Sequence, residues 1–448
     1  MMGSGATPWA RTVASICFEV TGREVTSPWS PGPLPIRLPT GSQADQRARA
    51  TYFQPRAAES LYGSSDGSLP CRWHRTDGDW HGIGGSLAGM ELLGFPHYAG
   101  GLTVAPGKTG YSDGAIRYLA VLHLSLPAEN PVGELEDAVK LAPDSEFGIR
   151  RREQYIRLLG PGFQIHDRVR RAQSVAMLTF RDRPTAPPGA PIQWTAATSW
   201  LWCAASASRL EEFCPDIEDP RLLDGLVYLS SSWRALVLRD GIGFIGLVND
   251  TRDETNFFAW GEAYVRSLYT DVVLLAALQR DGLDDFADRL ARIGNRFEKS
   301  AEFRKLVNEV TEFRNVFWWD DVTRHGIANE ILNRLHAAHR TPSLFARIVT
   351  DLDAFRQQVE ANALEASVQL QEVEEKRSRT FEHAASIVAI SFALPALVFA
   401  GLAVPVRGLT AEGHDISGWM LLAVGLGALV IGALAGAKGG RLLSRRKL

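Results

Sequence analysis

Residues 341–383 read TPSLFARIVTDLDAFRQQVEANALEASVQLQEVEEKRSRTFEH, and residues 384–406 continue AASIVAISFALPALVFAGLAVPV. The stretch opens on Thr341-Pro342, a hydroxyl N-cap with proline at the first helical position. Neither proline nor glycine interrupts it before Pro395. Phe345, Ile348, Leu352, Phe355, Val359, Ala366 and Val373 form a heptad seam, with Asn362 and Gln369 at the intervening seam positions. One helix through residue 406 would be roughly 100 Å long at about 1.5 Å per residue. Such a seam packs either on a second copy of the chain or on the chain's own helices.

The end of this stretch changes character. Residues 384–406 carry no charge, and neither do residues 418–437, GWMLLAVGLGALVIGALAGA. A bilayer core about 30 Å thick is crossed by roughly 20 apolar helical residues, so the pattern predicts a C-terminal transmembrane hairpin. Lys376, Arg377 and Arg379 precede the first span, and Lys438, Arg441, Arg445, Arg446 and Lys447 follow the second. The loop between them holds Arg407, Glu412 and Asp415. The positive-inside rule then predicts a multi-pass protein of the inner (plasma) membrane with both termini cytoplasmic. The N-terminus does not read as a signal peptide. Ala428, Gly432, Gly436 and Gly440 make a small-residue stripe that would let another helix approach closely.

The whole chain has 448 residues, a net charge of −3 and a pI near 6.4, which argues against nucleic acid as a partner. Its apolar fraction of 45% excludes wholesale disorder. Cys17, Cys71, Cys203 and Cys214 make no disulfide framework. The expected organisation is an α+β cytosolic domain over 1–255, a helical stalk over 256–383, and the hairpin with its basic tail over 384–448. Strands are expected at 12–20, 116–126 and 175–180. Runs 233–238 and 242–248 flank Asp240-Gly241, a hairpin signal. Helices are expected at 134–141, 206–213, 256–279, 281–293, 295–318 and 322–338.

Motifs for chemistry are weak. Residues 105–110, APGKTG, lack the first glycine of a phosphate-binding loop, because position 102 is Leu. Cys71, His74 and His81 are metal ligands by type, without a fourth at a recognisable spacing. His336 and His339 share one helix face and read as solvated. Ser65 fits the serine of G-x-S-x-G, but no helix follows it to form the strained elbow. The chain therefore reads as a non-enzyme with no identified cofactor.

The order of parts resembles the CorA-type divalent-cation transporters: an α+β domain, helices doubling back, one very long helix, two spans and a basic tail. A local likeness adds to this, in FRNVFWWDDVT at 313–323, Asn329-Glu-Ile-Leu, and Leu344-Phe345. The resemblance covers about residues 260–448. It implies a homo-pentameric ion channel or transporter, with Mg²⁺ or another divalent cation as substrate and a large regulatory domain. Pore-lining candidates are then Asn362, Gln369, Ser386 and Ser391, and the outer mouth holds Arg407, Glu412 and Asp415. The family's Gly-Met-Asn signature is missing, and Ala403-Val404-Pro405-Val406-Arg407-Gly408 stands in its place. A membrane-anchored sensor or effector, whose cytosolic domain binds a ligand or partner, is the alternative reading.

Overall fold

A fourteen-residue strand, β1 (Trp9–Gly22), organises the first of two compact units, Met1–Ala354 and Phe355–Leu448. The computed structural model describes residues 8–63, 71–77, 85–95, 116–293 and 300–402. After β1 come the short strands β2 (Ser30–Pro31), β3 (Ile36–Arg37) and β4 (Gln43–Ala44), then helices α1 (Gln46–Ala50) and α2 (Pro55–Tyr62). Strands β5 (Arg72–Arg75), β6 (Ser86–Gly94) and β7 (Ile116–Ser125) precede α3 (Pro131–Val139) and α4 (Glu146–Leu159). Then follow β8 (Gln173–Phe180), α5 (Ala196–Ser206), β9 (Leu226–Ser230), β10 (Trp233–Leu238) and β11 (Gly241–Gly246).

The main sheet has nine strands in the order β2-β5-β6-β7-β1-β8-β11-β10-β9, and β3 pairs only with β4. Neighbours are antiparallel except β8 with β11, which run parallel. A parallel pair needs a crossover, and here α5 with the β9–β10 strands supplies it. Strand period divides the side chains between two cores. Ala14, Ile16, Phe18 and Val20 of β1 enter one core with Leu135, Tyr155 and Trp202 from α3, α4 and α5. Val13 and Cys17 enter the other, with Leu61 and Tyr62 of α2. Both faces of β1 are covered, and most of its residues are buried whichever way they point.

Four further helices complete this unit: α6 (Phe257–Tyr264), α7 (Thr270–Ile293), α8 (Ser300–Val316) and α9 (Gly326–His339). Asn256 caps α6 by accepting from the Ala259 N–H. A π-helical turn, Val265–Tyr269, joins α6 to α7. The break expected between the helices 256–279 and 281–293, at the turn signal Asp281-Gly282, does not occur, and Gly282 lies buried inside α7. Asp281 is held by Arg117 of β7, whose Nη1 donates to Oδ2 at 3.0 Å, so tertiary contact overrides the local turn signal. The helix expected at 206–213 is also displaced. Helix α5 ends at Ser206, and Ala207 adopts a left-handed conformation that closes it.

The last helix, α10 (Thr341–Leu402), has 62 residues, about 93 Å of rise. The boundary between the two units falls within it. Phe345, Ile348 and Leu352 of the heptad seam are buried in the first unit. Along the second unit the seam opens, and Ala366 and Val373 are exposed.

The transmembrane hairpin expected from the sequence is corrected here. Among the described residues no helix is long and apolar enough to cross a membrane. Residues 384–402 of the first expected span are the end of α10, which runs on without a break from the exposed charged stretch that holds Glu372, Glu375, Lys376 and Arg379. Residues 403–406, the second span 418–437, the connecting loop and the basic tail lie outside the described residues. The membrane assignment, and the inner-membrane localisation with both termini cytoplasmic, rested on those spans and fall with them.

Helix α5 packs closely on β11. A Cβ on Gly243 would stand 2.5 Å from the Ala205 nitrogen and 2.8 Å from the Leu201 oxygen, both backbone atoms that cannot swing aside. Gly243→Val should therefore cost about 1–3 kcal/mol as an overpacking change. At Gly326, in the first turn of α9, a Cβ meets nothing within 4 Å. Gly326→Ala should instead be neutral or stabilising by up to about 1 kcal/mol. Urea unfolding midpoints of the two variants check both signs.

Candidate functional site

Most of the pore, mouth and helix-packing residues singled out by sequence lie outside the described residues. On α10, Asn362 is half-buried, while Gln369 and Ser386 are exposed. Ser391 falls within α10, but its side chain is outside the description, as are Arg407, Glu412, Asp415, Ala428, Gly432, Gly436 and Gly440. Ser65, His81 and the 105–110 segment are also outside it. His74 Nδ1 faces the Gly32 carbonyl at 3.0 Å, and the Cys71 thiol, pushed up to about 11 by burial, faces the Ser60 carbonyl at 3.9 Å. Among the described residues no group of three or more His, Cys, Asp or Glu could hold a metal ion.

His336 is buried, contrary to the solvated reading. Its Nε2 lies 2.6 Å from Gln279 Oε1, and its ring stacks on Trp318 with centroids 5.2 Å apart. Gln279 Nε2 donates to the Phe317 carbonyl. Gln279 Oε1 can only accept, so Nε2 of His336 carries the proton. Burial pushes this imidazole down to about 4.

The segment that carried the family resemblance is a packing knot. Phe313 is fully buried and touches Phe286, Phe317, Trp318 and Phe345 by ring contacts. Asn329 Oδ1 accepts from the Val322 and Thr323 N–H groups, and its Nδ2 donates to the Thr323 carbonyl. Thr323 Oγ1 donates to the Tyr52 carbonyl, tying the α8–α9 connection to the chain between α1 and α2. These residues position helices.

The densest polar chemistry lies where sequence gave no motif, on the α7 side of the sheet. Arg49 of α1 grips Asp271 of α7 with both prongs, Nε to Oδ2 at 2.9 Å and Nη2 to Oδ1 at 2.6 Å. Its Nη1 donates to the Leu34 carbonyl and reaches Glu91. Arg72 of β5 donates from Nε to Glu91 of β6 at 2.5 Å, and its Nη1 stands 2.7 Å from Asp271. Tyr62 of α2 donates to Asp271 at 2.6 Å. All four charged side chains are fully buried, and the two cations balance the two anions. Burial raises the Glu91 carboxyl, but Arg72, Arg49 and His123 outweigh it and hold it well below the usual carboxylate range.

His123 of β7 extends this cluster. Its Nε2 is 3.2 Å from Glu91 Oε1, and its Nδ1 is 3.0 Å from Ser15 Oγ on β1. An ionised carboxylate only accepts, so Nε2 holds the proton and Ser15 donates to Nδ1. Burial, with Arg266 and Arg49 nearby, pushes His123 down against the pull of Glu91. Hydroxyl, imidazole and carboxylate stand in the order of a nucleophile relay. Yet all three are fully buried, and no substrate reaches Ser15. The cluster is a charge-neutral clamp that fastens α1, α2 and α7 to the sheet. One signal in the sequence pointed to it: Ser15, Glu91 and His123 are polar positions inside otherwise apolar strands.

Two measurements test this account. Asp271→Asn removes a charge that both arginines share, and should cost about 3–5 kcal/mol in urea unfolding. For His336, the unfolded chain takes up its proton near 6.5 and the folded chain only near 4. Stability should therefore fall as pH drops through that window, by about 3 kcal/mol. His123 and His339, both pushed down chiefly by burial, act in the same direction. Unfolding midpoints at pH 7 and pH 4.5 read the loss, and His336→Gln should flatten it.

No protein-family model matches the chain, and no curated relative matches it. A solved structure, that of the full-length CmaX protein, is a weak structural neighbour. It is 13% identical, and the match covers 59% of this chain and 88% of that one with a TM-score of 0.19. A likeness at that level carries no argument about fold or function.

Proposed function

We propose that the protein is a non-enzymatic ion-transport protein of the CorA type. In this reading it works as a homo-oligomer, Met1–Ala354 is a regulatory body, and the substrate is Mg²⁺ or another divalent cation. The observation that carries the proposal is α10. A helix of 62 residues follows an α+β body and its further helices, which matches the first three parts of the family order and not its two spans. The helix leaves Leu364, Val368, Leu370, Val373 and Phe381 between 47% and 74% exposed. Exposed apolar side chains along one long helix support association between copies. Asn362, Gln369, Ser386 and Ser391 would then face the shared axis.

The missing Gly-Met-Asn favours a second reading, an effector whose body binds a ligand or partner without ion passage. Native mass spectrometry and Mg²⁺ uptake by liposomes holding the full chain separate the two. The transport reading expects an oligomer with uptake above protein-free liposomes, lowered about tenfold by Gln369→Leu if that amide lines the path. An oligomer without uptake would replace it with the effector reading, and a monomer would remove the basis of the proposal.

A further inference from the structure

Away from the buried clamp, the N-terminal end of β1 and the start of α6 enclose two cavities of about 150 Å³ each. Arg11 and Glu262 line both. Arg37, Glu254 and Arg266 line the first, and Arg181 and Arg252 the second. Arg11 is committed to protein carboxylates: Nε donates to Asp250 at 2.9 Å and Nη1 to Glu262 at 3.0 Å. Arg266 shares Glu262, at 3.4 Å from Nε, and donates from Nη2 to Ser125 Oγ at 2.8 Å. Asp250 and Glu262 thus balance Arg11 and Arg266. Among the described residues Arg37, Arg181 and Arg252 make no ion pair, and Glu254 lines the first cavity with Arg37. The two linings hold five arginines against two glutamates, with Asp250 and Asp253 beside Arg11, in a chain whose net charge is −3.

Three features show that this end of the fold is built around its arginines. The ladder between β1 and β8 slips at Ala10, between Trp9 and Arg11, a bulge of the kind that re-aims a side chain. Arg252 holds a left-handed backbone, φ +57°, fixed by its N–H donating to Asp250 Oδ1 at 2.8 Å. That conformation is costly for a residue with a Cβ. Arg266 is only 7% exposed, lines the first cavity, and has no hydrogen-bond partner at Nε. A buried guanidinium whose one carboxylate is 3.4 Å away and shared with Arg11 is only partly compensated, and burial pushes this group down with only Glu262 opposing.

We infer that the paired cavities at Arg11 form a binding site for a small soluble oxyanion bearing one or two phosphate groups. Guanidinium forks match phosphate oxygens in geometry and charge. The cavities are too small for a bulky organic group, which places the phosphates inside and any remainder of the ligand at the mouth. Arg266 and Arg11 form the floor, and Arg37, Arg181 and Arg252 are the exposed cations free to close on the anion. This inference does not depend on the transport reading.

Titration calorimetry of the full chain with inorganic phosphate and with pyrophosphate tests it, at ionic strength held constant with sodium chloride. Saturable binding at one site per chain is expected, tighter for pyrophosphate. The double variant Arg181→Ala/Arg252→Ala alters exposed side chains only and should keep the parent thermal midpoint without ligand. It should weaken pyrophosphate binding at least about tenfold, because two charge-assisted contacts are lost. Arg266→Gln should abolish binding, and the exposed double variant keeps the test decisive if that change disturbs folding. Heat no greater than dilution into chloride, or binding unchanged in the double variant, would overturn the site.

Discussion

Four formal charges buried beyond the reach of water survive only if every carboxylate meets a guanidinium. The arrangement of α1, α2, β5, β6 and α7 follows from that requirement. Removing an ion from water costs several kcal/mol even after relaxation, so Arg49, Arg72, Glu91 and Asp271 have no independent positions. Asp271 accepts from Arg49 and Tyr62 and faces Arg72, and Glu91 accepts from Arg72, Arg49 and the Leu34 N–H. Shifting α7 along its axis would strand two cations at once. Apolar packing in the same core tolerates small slips, whereas this clamp does not, and it sets the register of helices against sheet.

Much of the sheet was legible because its central strands are buried on both faces. The runs at 12–20, 116–126 and 175–180 emerged as β1, β7 and β8, and Asp240-Gly241 did turn β10 into β11. Strands β5, β6 and β9 escaped notice. Arg72–Arg75 is short and polar, and the functional part of β6 is one glutamate between apolar neighbours. The displaced helix at 206–213 and the uninterrupted α7 fail for one reason. Local sequence was weighed without the contacts that outvote it, the glycine strand beneath α5 and the Arg117 grip on Asp281.

The buried clamp was not legible for a different reason. Its members are Arg49 and Asp271, 222 residues apart, together with Arg72 and Glu91, and no spacing rule links them. What sequence did offer was segment 313–323, and its conspicuous aromatics proved to be structural: Phe313 packs against four rings, and Asn329 braces the turn that follows. The charge-free windows near the C-terminus were the most persuasive signal of all. They led to a membrane hairpin that no described helix supports.

The position of β1 in the sheet bears on how the chain is made. Val13 pairs with Ser125 and Trp9 with Phe180, so β1 is synthesised before both of its neighbours and must wait for them. Meanwhile it is an apolar segment with two open edges, the form most prone to pair with other chains. The parallel partner of β8 arrives later still, after α5 and two more strands have been synthesised. Vectorial synthesis therefore runs against the order of assembly. Until β8 has emerged, β1 keeps at least one edge open.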